Sequence, residues 1–172
     1  GGLRVTACLR SPLNPSSGTA TLDNDGTFVL GDGAKPAKLT IRNVKTVVFT
    51  NRLDGVALHK PGSSLVLQYT GTEGAGTWYN SGTVTQDNAS VVLDWAANAF
   101  NSSNARNFNN FGTWVLQNKA VFENISTTGL EPTWGMSDCR NTGSLSVLSG
   151  SSVAFATLTS SGSITLGDGA IL

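Results

Sequence analysis

A short turn ending in glycine, Asn/Asp/Ser-x-Gly in type, recurs along this chain at near-constant spacing and constrains its fold more than any other feature. The instances are Asn24-Asp25-Gly26, Leu53-Asp54-Gly55, Asn80-Ser81-Gly82, Asn110-Phe111-Gly112, Asn141-Thr142-Gly143 and Ser160-Ser161-Gly162. Their glycines are 29, 27, 30, 31 and 19 residues apart. A second apolar segment follows each glycine 9 to 13 residues later, as in Leu39-Thr40-Ile41, Leu65-Val66-Leu67, Val91-Val92-Leu93 and Val153-Ala154-Phe155. The pentapeptide Leu-Gly-Asp-Gly-Ala occurs at Leu30 to Ala34 and again at Leu166 to Ala170, in the same phase. A repeat with two registered signals is the mark of an array in which each unit buries its apolar face against its neighbours.

The segments around the turns are short, β-branched and alternating, which predicts strands. No segment sustains an apolar helical period over ten residues. Each unit therefore reads as strand, tight turn, strand and a more variable stretch. The expected architecture is all-β: a right-handed parallel β-helix, or β-solenoid, of about six coils. Residues 1–23, with Pro12 and Pro15, fall outside the pattern and are expected to form an N-terminal cap, with the solenoid over 24–172. Glycine at the corner is expected to supply positive φ and close approach of successive coils. The neighbouring Asn or Asp would bond local backbone or form ladders along the stack. A β-sandwich is the alternative, because turn signals every 8 to 12 residues suit it too. The chain stops at Leu172 within a strand, so either more protein is expected to follow or that end stacks on something.

Composition narrows the function classes. Charged residues make up 13% of the 172-residue chain, and 11 basic against 11 acidic residues leave no net charge. A nucleic-acid partner is not expected, since tracking phosphates takes a basic surplus. No apolar run approaches the roughly 20 residues of a membrane span. No leader-like segment opens the chain, so a mature or engineered N-terminus is expected. Sequons at Asn88, Asn101 and Asn124 point to candidate N-glycosylation and an extracellular setting. Cys8 and Cys139 are the candidate disulfide pair. They lie far apart in the repeat, so two buried thiols, or partners outside this chain, stay equally open.

Candidates for chemistry are few. His59 is the only histidine, and its setting, Leu58-His59-Lys60-Pro61-Gly62, predicts an exposed turn. One His and two distant Cys do not make a zinc site, and no cofactor is expected. Most aspartates sit beside glycine, where turn chemistry explains them. Asp25 and Asp54 are expected to stack in successive coils, and Asp94, on a strand, is the acid that turn chemistry explains least. Trp78, Tyr79, Trp95 and Trp134 are the candidate binding residues, because Trp and Tyr on a polar surface stack on sugars or anchor protein contacts. Trp114, inside a strand, is expected in the core.

The phrases Tyr79-Asn80-Ser81-Gly82-Thr83-Val84 and Phe108-Asn109-Asn110-Phe111-Gly112-Thr113-Trp114 resemble the aromatic-Asn-x-Gly-Thr/Ser-apolar units in the N-terminal domain of hyphally regulated cell-wall adhesins of yeasts. The resemblance covers roughly residues 20–172. It implies a right-handed β-helix on a glycosylphosphatidylinositol-anchored stalk, serving adhesion to surfaces or other cells. The expected function is thus a non-catalytic cell-surface or cell-wall adhesion module whose partner is a host or neighbouring cell surface, glycan or protein. A self-assembling filament or surface-layer subunit, stacking copies end to end, is the alternative. A polysaccharide-active β-helix enzyme comes third. For an ice-binding face, Thr27, Thr83 and Thr113 begin a row that Val56 and Ser144 interrupt.

Overall fold

A computed structural model describes residues 3–8, 18–70, 75–96, 106–125, 138–155 and 158–172. The N-terminal strand is β1 (Leu3–Cys8). Strands then follow in threes: β2 (Thr19–Asn24), β3 (Thr27–Leu30) and β4 (Ala37–Val44); β5 (Thr46–Asn51), β6 (Val56–His59) and β7 (Ser63–Thr70); β8 (Ala75–Asn80), β9 (Thr83–Asp87) and β10 (Ser90–Ala96). The pattern continues with β11 (Arg106–Asn110), β12 (Thr113–Gln117) and β13 (Val121–Ile125); β14 (Asp138–Asn141), β15 (Ser144–Val147) and β16 (Ser152–Val153); then β17 (Thr159–Ser160) and β18 (Ser163–Leu166).

Every third strand joins the same sheet. The first sheet runs β1-β2-β5-β8-β11-β14-β17, the second β3-β6-β9-β12-β15-β18, and the third β4-β7-β10-β13-β16. All pairs are parallel except β1 with β2. The chain is therefore a β-solenoid with three faces, and no helix occurs among the described residues. Parallel ladders from β2 onward exclude the sandwich, which is built from antiparallel strands.

The core follows from alternation. Strand residues point in and out by turns, so β2, β3, β5 and β6 alternate buried with exposed or half-buried positions. Register then stacks like on like: Leu22, Phe49, Trp78, Phe108 and Cys139 form one buried column. Phe28, Ala57, Val84, Trp114 and Leu145 form another. The interior is strongly aromatic. Phe49 lies on Trp78 with centroids 4.0 Å apart and planes 15° off parallel. Trp114 packs on Phe108 at 4.8 Å and edge-on to Phe122 at 4.9 Å. Phe49 shares its coil with the small Ala57, and Trp78 shares its own with Val84 and Val91, whereas Phe108, Trp114 and Phe122 fill the following coil together.

Two of the three corners recur along the described coils, and they work differently. At the first, between the first and second sheets, the buried side chains of Asn24, Asn51, Asn80, Asn110 and Asn141 form a ladder. Each amide donates to the next Oδ1, at 2.7, 2.9, 2.8 and 2.7 Å, and Asn141 donates to Ser160 Oγ at 3.1 Å. The same nitrogens reach the carbonyls of Val56, Thr83, Thr113, Ser144 and Ser163 at 2.9 to 3.2 Å. Buried amides are thus satisfied along the axis. The glycines here are needed for approach alone. A Cβ on Gly82, Gly112, Gly143 or Gly162 would fall within 3.0 Å of the carbonyl oxygen of the glycine one coil before. None of them has positive φ, which corrects that part of the expectation.

Positive φ belongs to the second corner, between the second and third sheets. Gly62, Asn88, Lys119, Gly150 and Gly169 stack in one column at φ 76°, 43°, 65°, 70° and 68°. The next residue of each coil is small: Ser63, Ala89, Ala120, Ser151 and Ala170. A left-handed residue swings the chain inward, and only a short side chain fits behind it.

Several expectations change. The parallel stack begins at Thr19, not at residue 24, since β2 pairs in full register with β5. Each coil has three strands rather than two, because the strand before the turn is as regular as those after it. His59 is not in an exposed turn: it ends β6 and is fully buried, edge-on to Phe28 at 5.8 Å. No disulfide forms among the described residues. Cys8 ends β1, five strand spacings from β14, which carries Cys139. That is about 24 Å at ~4.8 Å per step, beyond the ~7 Å Cα limit of a disulfide.

Candidate recognition surface

The repeat is broken at one place on the first corner. Elsewhere the ladder Asn and the corner Gly are separated by a single residue, whereas Asn51 and Gly55 enclose Arg52, Leu53 and Asp54. The ladder member of this coil is Asn51, two residues before the position that alignment on glycine suggests. Because the ladder and the glycine column both hold their register, the two extra residues must project. Leu53 is accordingly 78% exposed.

The projection borders a surface depression of about 490 Å³ lined by Asp25, Thr50, Arg52, Leu53, Asp54 and Ser81. Arg52 is fixed there by Asp23 of the preceding coil. Its Nε donates to Oδ1 at 2.7 Å and its Nη2 to Oδ2. Hydrogen bonding to Asp23 and the charge of Asp23, then that of Asp25, hold the guanidinium's pKa above its usual value. Tyr79 stands in register with Thr50 on the same outer face and is exposed. Two carboxylates, one guanidinium, two hydroxyls and an aliphatic chain line the depression, with Tyr79 on the adjacent strand. The chemistry on offer is hydrogen bonding in both senses next to an apolar platform.

Other sequence candidates scatter. Trp78 is fully buried against Phe49 and faces the core, so the expectation of a surface contact is corrected for it. Its neighbour Tyr79 faces outward, as alternation requires. Trp114 is fully buried, as expected. Trp95 and Asp94 lie on β10, with side chains outside the description, and Trp134 and Asn101 lie outside the described residues. Asn124 is on β13, its side chain likewise outside the description. Asn88 is exposed on the second corner. Asp25 and Asp54 do come together, at the depression rather than in a column. Among the described residues no three His, Cys, Asp or Glu side chains group as metal ligands, and no helix is long and apolar enough to cross a membrane.

A second surface is defined by register. The outer face of the second sheet carries two ranks along the axis: Thr27, Val56, Thr83, Thr113, Ser144 and Ser163, then Val29, Leu58, Thr85, Val115, Ser146 and Thr165. Neither rank contains a charge. Asp87, two residues beyond Thr85, accepts a hydrogen bond from Asn118 at 2.7 Å. Beyond Leu145 and Val147, both buried, their register partners Ile164 and Leu166 are 37% and 54% exposed. Comparison with protein-family models, curated proteins and solved structures gives no match.

Proposed function

We propose that this chain is a non-catalytic extracellular adhesion module of a cell surface or cell wall. On this reading its strands wind as six coils of a right-handed solenoid with β1 as part of an N-terminal cap. The observation that carries it is the outer face of the second sheet, two continuous ranks of short hydroxyl and aliphatic side chains without a charge. Such a face costs less to desolvate than a charged one, and the centres of protein interfaces are likewise depleted in charge. The resemblance of the Tyr79 and Phe108 phrases to yeast cell-wall adhesins supports the same function. Exposure of Asn88 accords with a secreted glycoprotein. The test is attachment of protein-coated beads to cells. A Thr83→Lys, Thr113→Lys pair, both exposed positions, is expected to abolish attachment while leaving the circular dichroism spectrum intact. Undiminished attachment by the pair would sink the proposal.

The exposed Ile164 and Leu166 support a second reading, end-to-end assembly of copies. Both occupy core columns, so whatever stacks there completes a core already half built. Sedimentation is expected to show association that Leu166→Asp abolishes; a monomer at every concentration would rule assembly out.

A further inference from the structure

We propose that the depression at the first corner binds a neutral, hydroxyl-rich saccharide, an inference that rests on the reading of this chain as a recognition module. In repeat proteins, insertions within a unit map to loops on one face, often the binding face. The pair of residues added between Asn51 and Gly55 is such an insertion, set into a corner that otherwise tolerates one residue. It borders an open surface depression of about 490 Å³.

The lining selects the ligand. A sugar presents hydroxyls, each both donor and acceptor, on one edge and a C–H face on another. Asp25 and Asp54 supply acceptors, Arg52 supplies donors, and Thr50 and Ser81 supply both. The bidentate hold of Asp23 fixes Arg52 in place before any ligand arrives, which lowers the entropy lost on binding. Leu53 and the exposed Tyr79 provide apolar surface for the C–H face. The one cation of the lining, Arg52, is already held by Asp23, and Asp25 and Asp54 line the same depression, so an anionic sugar is disfavoured there.

The experiment is an amide-resolved NMR titration of the full chain with cellohexaose, chitohexaose and mannohexaose, and with hexagalacturonate as the anionic control. At least one neutral oligomer is expected to give saturable shifts at Leu53, Tyr79 and Ser81 at concentrations on the order of millimolar or below. Deleting Leu53 and Asp54 restores the one-residue corner of the other coils and is expected to weaken binding at least about tenfold, as is Tyr79→Ala. Unchanged amide shifts at Val84 and Trp114 verify that both variants fold. Absence of saturable binding by every neutral oligomer would overturn the inference. So would binding indifferent to both changes, or hexagalacturonate binding as tightly as the best neutral sugar. The lysine pair on the second sheet is expected to leave sugar binding intact. Cell attachment that persists without sugar binding therefore overturns this site alone, and loss of attachment is read separately.

Discussion

His59 occupies the core column that runs from Leu30 through Gln86 to Leu116, and neither ring nitrogen has a hydrogen-bond partner. Burial pushes its pKa down from 6.5 to about 4. The folded protein therefore holds it neutral. As pH falls below 6.5 the unfolded chain takes up a proton that the folded chain refuses, so stability declines until pH 4, where both forms bind it. The loss is about 3 kcal/mol over that window. His59→Leu, matching Leu30 and Leu116 in the same column, is expected to remove this share of the pH dependence and to be at least as stable at pH 7. Urea unfolding of both proteins at pH 7 and pH 4 measures the difference. At the second corner, Lys119 is a non-glycine residue at φ 65°. The left-handed region costs an L-residue roughly 1–2 kcal/mol, partly offset by the greater unfolded-state entropy of glycine. Lys119→Gly is thus expected to raise stability by up to about 1 kcal/mol, read as a shift in the urea midpoint. Gly112→Ala goes the other way, because its Cβ meets backbone atoms of Ser81 and Gly82 that have no room to yield.

The asparagine ladder is the element that sets register. In Asn80→Ala, Asn51 loses one of its acceptors, Asn110 Oδ1 loses a donor and Thr113 O loses its side-chain partner. Each buried group left unsatisfied costs about 1–3 kcal/mol, so a loss of roughly 2–4 kcal/mol is expected in urea unfolding. The ladder was visible in the sequence as a spacing, and so were the second and third sheets, whose β-branched runs follow the glycines at fixed offsets. The first sheet was less legible. Its inward column changes size from Leu22 to Trp78 to Cys139, so no residue type repeats, and only backbone register unites it. His59 was misjudged for a related reason: Lys60-Pro61-Gly62 marks the corner correctly, but the corner begins one residue later than the histidine. Trp78 and Tyr79 are adjacent and could be parted only by knowing which of them shares a face with Phe49. The depression was hidden because alignment on glycine absorbed the insertion, although the Asn-to-Gly offset of this one coil already differed.

Across the whole molecule, each coil touches only the coils before and after it, so stability is close to a sum of neighbour terms. The coil bearing Trp114 has rings above and below it, whereas Ile164 and Leu166 are covered on one side. Hydrogen exchange is expected to show this gradient. Amides of Ile164 and Leu166 should exchange about a hundredfold faster than those of Val84 and Trp114, through opening of that coil without global unfolding. Uniform protection would mean that the solenoid unfolds as one unit.

The side-chain amides of the ladder all donate in the same direction, from Asn24 toward Asn141. Aligned bond dipoles polarise one another, so the column behaves as a molecular arrow. An amide flipped within the column would set one NH2 group against another, so each side chain there is held to one orientation. Ser160 receives the last of these bonds, and its hydroxyl lies within reach of the Asn141 and Gly162 carbonyls. The arrow there turns aside into the backbone, and that single hydroxyl interrupts a signal that another amide would have passed on.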